Sequence, residues 1–571
     1  MTTKLPKVPV VVVGMGWAGS IISAELTKAG IKVVGLERGK ERKMSDYLMV
    51  HDELRFQHRE ELMQDLSKET ITHRNNKKIR ALPMRHYGTF IVGDGLGGAG
   101  SHWNGQTYRF LPYDFEIKTL TEKRYGAGKI KPEIPLQDWG ITYDEIEPYY
   151  DTFEKMAGIS GETVELYGER SNPYPTGPML KTPVLEEFEK ATKKLGYKPY
   201  IMPSANLSEN YTNPDGISRA ACQYCAYCEN FGCEYGAKAD PVVTVIPVAK
   251  ETGNLDLRTH ANVTRIVNDG TKATGVIYVN TFTGEEFEQP AEVVVVTSYV
   301  FNNARLLLNS NLGKPYNPDT GEGVIGKNYC YQVSSGYSTL YYDDKEWNLY
   351  AGAGALGIEI PEYTGDNFDH SDLNFLHGAG IRTTQYGNRP IATNHAPVGT
   401  PSWGAEFKKQ SIKYANSVLQ VKSQGASLPH RNNYLDLDPT YKDAYGMPLL
   451  RMTYDYTEQD KQLVKYISKV TRKIAEEMGP DHIDTVGEQA AFNVNVDTNT
   501  HNTGGVIMGA DPETSAVNSY LQMWDADNVF VIGASAFPHN SCFNPTATLS
   551  ALAYRASEGI ERYLKGGGSL V

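Results

Sequence analysis

The sequence predicts an α/β fold, and three observations carry that prediction. Residues 8–13 (VPVVVV) are an apolar, β-branched run that breaks at Gly14-Met15-Gly16-Trp17-Ala18-Gly19 and continues as a helix-like segment over residues 20–29. A second apolar run over residues 32–36 ends on Glu37, which completes a Rossmann-like strand, turn, helix and strand. Far downstream, runs at 293–296 and 529–533 repeat the strand pattern beside helix-like stretches, so strands and helices alternate along the chain.

Each part of the opening unit has a physical role. Gly14 permits the tight turn, Gly16 lets the backbone approach a pyrophosphate, and Gly19 lets helix and strand pack closely. The helix N-terminus favours the phosphate charge, and Glu37 stands where an acid would hydrogen-bond a ribose hydroxyl. A second glycine-rich stretch, residues 93–105 (GDGLGGAGSHWNG), can bring backbone amides close to a large planar ligand.

Residues 106–203 mix helix-like stretches at 143–156 and 183–195 with Pro- and Gly-rich turns, and read as insertions covering that ligand. Candidate elements follow at 261–266, 293–296 and 303–307. From 329 to 495, strand-like runs such as 334–342 alternate with loops and one long helix-like stretch, 458–478.

Four cysteines fall within twelve residues: Cys222, Cys225, Cys228 and Cys233 in CQYCAYCENFGC. The spacing resembles compact runs that bring thiolates to one face of an iron–sulfur cluster. A zinc ribbon needs a second CxxC pair that this chain lacks, and adjacent CxxC disulfides are strained, so zinc and structural thiols stand as alternatives behind the cluster. The segment precedes residues 237–247 and reads as an exposed excursion. The other two, Cys330 and Cys542, read as buried thiols.

The composition sets limits. A chain of 571 residues, 40% hydrophobic and 22% charged, has material for a large core and more than one domain. A net charge of −12 argues against a nucleic-acid partner. No run approaches eighteen apolar residues, and the early strand is expected to leave no room for a signal peptide.

Taken in order, the GxGxxG turn with Glu37, GLGGAGSHWNG, NARLLL, RNNYLDLDPTYKDAYGMPLLR, HNTGG and NPTAT resemble the glucose–methanol–choline (GMC) oxidoreductase family over nearly the whole chain. The resemblance implies an α/β (α+β) fold with a discontinuous FAD-binding domain and a substrate domain built on an antiparallel sheet. The boundaries expected are 1–328 for the FAD domain, with insertions at 106–203 and the cysteine segment at 211–240, then 329–495 for the substrate domain, then 496–571 returning to the first. Thr297-Ser298-Tyr299 departs from the small residues many members carry there.

The resemblance also implies site residues. Gly14, Gly16, Gly19, Glu37, Gly97, Gly98, Ser101, His102, Asn104, Val263, Gly533, Pro545 and Thr546 would contact or shape the FAD site. His102, in an element similar to pyranose 2-oxidase, would either bond the flavin covalently or line it without a bond. His501 matches the family's catalytic histidine, with Asn544 as its partner and His539 in reserve. Oxidising an alcohol needs such a base for the hydroxyl proton while the hydride leaves carbon.

The cysteine cluster resembles flavoprotein subunits of gluconate-type sugar dehydrogenases. That implies a three- or four-iron cluster (3Fe-4S or 4Fe-4S), a sugar or sugar-acid substrate, a small accessory subunit and a cytochrome-type or quinone-linked acceptor. Membrane contact would come only through partners. The compartment implied is the periplasm or the outer face of the cell membrane, reached with a partner's export signal, with the cytoplasm as alternative. An oxygen-using sugar oxidase and a non-redox lyase are the competing activities.

Overall fold

The run Val8–Val13 forms a strand whose Val10, Val11 and Val12 are fully buried, in a computed structural model describing residues 2–47, 62–86, 88–388, 395–495 and 500–571. It lies inside an eight-stranded sheet, pairing in parallel with Val33–Leu36 on one side and Glu286–Val296 on the other. Strands covered on both faces read as continuous apolar runs, which is why this one shows no alternation. Val529–Val531 adds in parallel to Glu286–Val296, with Val529 opposite Val294. The start, middle and end of the chain therefore meet in one sheet. Of the segment expected to return, residues 496–499 lie outside the described ones.

The helix Trp17–Lys28 packs against the sheet and against Thr546–Gly566, which in turn packs on Tyr143–Ala157. Tyr143–Ala157 opens on a Thr142 and Glu145 capping box and closes on Gly158 at φ 65°. Its expected span was one residue shorter, and the 20–29 helix begins three residues earlier than its pattern suggests, because the glycine turn is already helical at Trp17.

A second sheet is wholly antiparallel and six-stranded. Its order is His482–Val486, Tyr337–Tyr341, Val418–Gly425, Ala379–Thr384, Gly357–Ile360 and Tyr200–Ile201. The edge strand Tyr200–Ile201 comes from the stretch expected only to cover the ligand. The helix Glu458–Glu477 covers one face through Leu463, Ile467 and Ile474, each nearly or fully buried. Each such side chain contributes about 1.5–3 kcal/mol of hydrophobic burial.

The strand Val418–Gly425 shows how this sheet serves a site. Leu419 and Val421 join the core beneath the helix, while Gln420, Lys422 and Gln424 alternate onto the other face and line a cavity. Among the described residues no helix is long and apolar enough to cross a membrane.

Candidate functional site

A cavity of about 670 Å³ runs from the glycine turn of the first sheet to the polar face of the second. Gly14, Gly16, Glu37, Gly98, His102, Asn104, Val263, Gly533, Pro545 and Thr546 all line it, as do His501 and Asn544. Gly19, Gly97 and Ser101 do not.

The three opening glycines divide their work. Gly14 sits at φ 93°, and a Cβ there would lie 2.8 Å from the Thr297 carbonyl oxygen. A Cβ on Gly19 would come within 2.0 Å of the Gly14 oxygen, so this position serves helix packing. A Cβ on Gly16 would meet only the Gly97 oxygen, at 3.9 Å, and would otherwise stand in the cavity. That open cradle beside Glu37 suits a dinucleotide pyrophosphate, and it is the observation on which FAD fits these residues.

Gly97 donates its N–H to the Met15 oxygen at 2.9 Å, and Ser101 Oγ donates to the Leu96 oxygen at 3.3 Å. Gly97 therefore braces the second glycine loop against the first and Ser101 braces the second loop internally, so both shape the site from behind its lining. Glu37 accepts from the Met15 N–H at 3.1 Å and the Gly39 N–H at 3.0 Å, and burial raises its pKa. Thr297, the departure from the family pattern, donates to the Val13 and Gly14 oxygens at 2.9 and 2.7 Å and so holds the turn. Thr546–Gly566 presents its N-terminal turn to the cavity, bringing the positive end of its dipole there.

At the far end a chain of hydrogen bonds runs in one direction. The Arg382 guanidinium, which can only donate, bonds Gln424 Oε1. Gln424 Nε2 then donates to Asn544 Oδ1 at 3.0 Å, and Asn544 Nδ2 donates to His501 Nε2 at 3.0 Å. His501 Nε2 is thus the unprotonated nitrogen, and Nδ1–H donates to Gln332 Oε1. Asn540 Nδ2 donates to the His501 carbonyl at 2.6 Å, steadying a residue held at φ 78°.

Burial, and then the positive charge of Arg382, pushes His501 down to about 3. The imidazole is neutral at physiological pH, and its Nε2 lone pair, which accepts from Asn544 here, is the position that takes a proton once a substrate hydroxyl replaces that donor. Gln332, Gln424 and Arg382 were not foreseen from the sequence. Gln and Arg on alternating strand positions carry no local motif, and only the register across strands brings them together.

His539 lies elsewhere. Its Nε2 and that of His377 donate to Asp114 Oδ1 at 3.1 and 2.8 Å, while Ser541 Oγ and the Leu111 N–H donate to Oδ2. The other nitrogens accept from Trp139 Nε1 and the Gly378 N–H, so both rings donate through Nε2 to one carboxylate. Despite the cost of burial, the two histidines hold Asp114 well below the usual carboxylate range. No lone pair in this trio is left for a metal, and His539 is a structural residue.

The four clustered cysteines surround a second, small cavity together with Asn206, Tyr227 and Phe231. All six cysteines of the chain are free thiols, with Cys330 and Cys542 fully buried. Cys228 and Cys233 are buried and Cys222 and Cys225 half-buried, so the segment is packed into the body of the protein and is not the expected exposed excursion. Burial and neighbouring sulfurs push Cys222 up to about 12 and Cys225 up to about 11. Bound cations would hold such thiols as thiolates.

No three of these sulfurs lie mutually within 4.8 Å, against roughly 3.8 Å for sulfurs around one zinc ion with 2.3 Å bonds. The all-sulfur donor set is one that either an iron–sulfur cluster or a zinc ion would take. Fully buried Lys238 ties this loop to the main cavity, its Nζ donating to the oxygens of Trp103, Cys228 and Phe231 at 2.6, 2.7 and 2.9 Å.

Residues 140–334 and 429–553 match family models described as GMC oxidoreductase. The chain is 40% identical to the gluconate 2-dehydrogenase flavoprotein of Pantoea cypripedii, over 100% of this chain and 96% of that one. It is 30% identical to 2-methyl-1,2-propanediol dehydrogenase of Mycolicibacterium austroafricanum (98% and 96% covered) and 26% identical to the fructose dehydrogenase large subunit of Gluconobacter japonicus (99% and 100%). The fold is similar to that of pyridoxine 4-oxidase from Mesorbium loti, with a TM-score of 0.61 at 15% identity, covering 97% of this chain and 99% of that one.

Proposed function

We propose, given that this chain belongs to the GMC oxidoreductase family of FAD-dependent enzymes acting on CH–OH donors, that it is the flavoprotein subunit of a sugar-acid dehydrogenase, with gluconate as the first substrate to test. The observation that carries the mechanism is the one-way hydrogen-bond chain ending on His501 Nε2. In this reading FAD, held along Gly14, Gly16, Glu37 and the second glycine loop, supplies the hydride acceptor.

The protein's own residues prepare the substrate. His501 Nε2 takes the proton of a secondary hydroxyl, since a neutral alcohol is a poor hydride donor. Asn544 orients that hydroxyl without competing for the proton, because an amide neither gains nor loses one at working pH. Gln332 and Arg382, from opposite ends of the chain of bonds, hold the histidine in the tautomer this requires. His102, which lines the cavity, is the residue a covalent bond to the flavin would use.

Cys222, Cys225, Cys228 and Cys233 would hold a three- or four-iron cluster, whose chemistry is to pass electrons singly. That favours an external acceptor, cytochrome-type or quinone-linked, reached with a small accessory subunit at the outer face of the cell membrane. The relatives named as flavoprotein or large subunit support such an assembly.

Anaerobic mixing with gluconate tests the reading. The flavin absorbance near 450 nm should bleach, and His501→Ala should slow bleaching about 10²- to 10⁴-fold. Failure of gluconate to bleach the wild-type flavin would reject the substrate, and equal rates in the variant would reject the base. Turnover in air with stoichiometric hydrogen peroxide would favour the oxidase alternative.

A further inference from the structure

The substrate end of the cavity holds more positive charge than the fold neutralises. In the antiparallel sheet Glu359 stands directly opposite Arg382, and Arg382 directly opposite Lys422, so three charged residues form one row across three strands. Glu359 is fully buried and is matched to Arg382 at 3.2 Å, with further hydrogen bonds from Tyr200 and Tyr108. That carboxylate is spent on one cation.

Lys422 is the second cation. It lines the cavity and has no ion-pair partner among the described residues, and its ammonium sits 4.4 Å from the Tyr386 ring centroid. Glu229 also lines the cavity but makes no ion pair with Lys422. Like charges directly opposite each other in a sheet are destabilising, so the fold carries a cost here that a bound anion would relieve. Tyr386 reports the same field: burial raises its pKa, yet Lys422 and then Arg382 outweigh this and leave it below the ordinary tyrosine value.

We infer that Lys422, with Tyr386 beside it, binds the carboxylate of the substrate and makes the enzyme select sugar acids over neutral polyols. The inference rests on the proposed oxidation at His501 and adds the residue that fixes substrate class. Position supports it. Lys422 is two residues from Gln424, which bonds Asn544, and two strand residues span about 7 Å. A short carbon chain can therefore place its carboxylate at Lys422 and a carbinol at the His501 and Asn544 pair. No other cavity-lining cation at this end is free of a carboxylate among the described residues.

Calorimetric titration of a His501→Ala protein, which reads binding without turnover, tests the assignment. The probes are gluconate and glucitol, which share a carbon chain and differ in the carboxylate. Adding Lys422→Met should weaken gluconate binding about 10- to 150-fold, the worth of a charge-assisted hydrogen bond, and leave glucitol unchanged. Lys422→Arg should restore part of the loss, and unaltered thermal melting would show that the fold survives.

Equal gluconate affinity with and without Lys422, or equal loss of both probes, would overturn the inference. So would absence of gluconate binding with the lysine intact. Anaerobic bleaching of the wild-type enzyme separates the two claims, because gluconate that binds through Lys422 without bleaching the flavin would reject the proposed oxidation alone.

Discussion

Gln332 sets the tautomer of His501, and its replacement offers a quantitative test. Gln332 is buried, and its Oε1 accepts the His501 Nδ1 proton. In Gln332→Met the proton loses its acceptor, leaving a buried donor unpaired at a cost of about 1–3 kcal/mol. If that cost falls on the reactive arrangement, kcat/KM drops about 5- to 160-fold, at 1.36 kcal/mol per tenfold.

Gln332→Glu makes the opposite change. A carboxylate facing Nδ1–H stabilises the imidazolium and raises the His501 pKa from about 3 by roughly 1–3 units. The group must be unprotonated to act, so activity is lost as pH falls through its pKa, and the acid limb should move upward. The assay is the rate of anaerobic flavin bleaching by gluconate between pH 3 and 8, corrected for unfolding. A Met variant within about threefold of wild type, or a Glu variant with an unmoved acid limb, would refute the tautomer argument.

Other predictions follow from the same geometry. Gly16→Ala should lose flavin while its apoprotein melts within a few degrees of wild type, because the new methyl stands in the cavity; Gly19→Ala should destabilise the fold itself, its Cβ falling 2.0 Å from a carbonyl oxygen. Flavin content and melting temperature distinguish the two. Asp114→Asn should cost about 2–4 kcal/mol by denaturant unfolding without changing bound metal, since it leaves buried donors facing an amide. Cys225→Ser should lower the iron content and slow reduction of an external acceptor while leaving flavin bleaching by gluconate intact, whereas Cys330→Ala should leave iron unchanged.

Much of the nucleotide end was legible because its chemistry is local. Strand, glycine turn, helix and acid occupy thirty residues, and their spacing is read within that stretch, although the close approach that Gly14 permits is to Thr297. His501 and Asn544 were legible as motifs, although 43 residues of chain separate them. The Glu359, Arg382 and Lys422 row was not, because cross-strand register is set by turns and core packing far from any one of them. The same holds for Gln332 and Gln424. The bracing roles of Ser101 and Gly97 were not legible, because a glycine-rich loop bracing another has the same composition as one touching a ligand. His539 stood close to Asn544 in sequence, but its ring points into a separate polar knot around Asp114.

Sugar-acid oxidation and one-electron relay, proposed here for a single chain, are tested together by a low-temperature EPR spectrum of anaerobically purified protein before and after adding gluconate. An iron–sulfur signal near one spin per flavin should appear and change when gluconate is added. Silence in both states, with zinc or no metal in the sample, would contradict it.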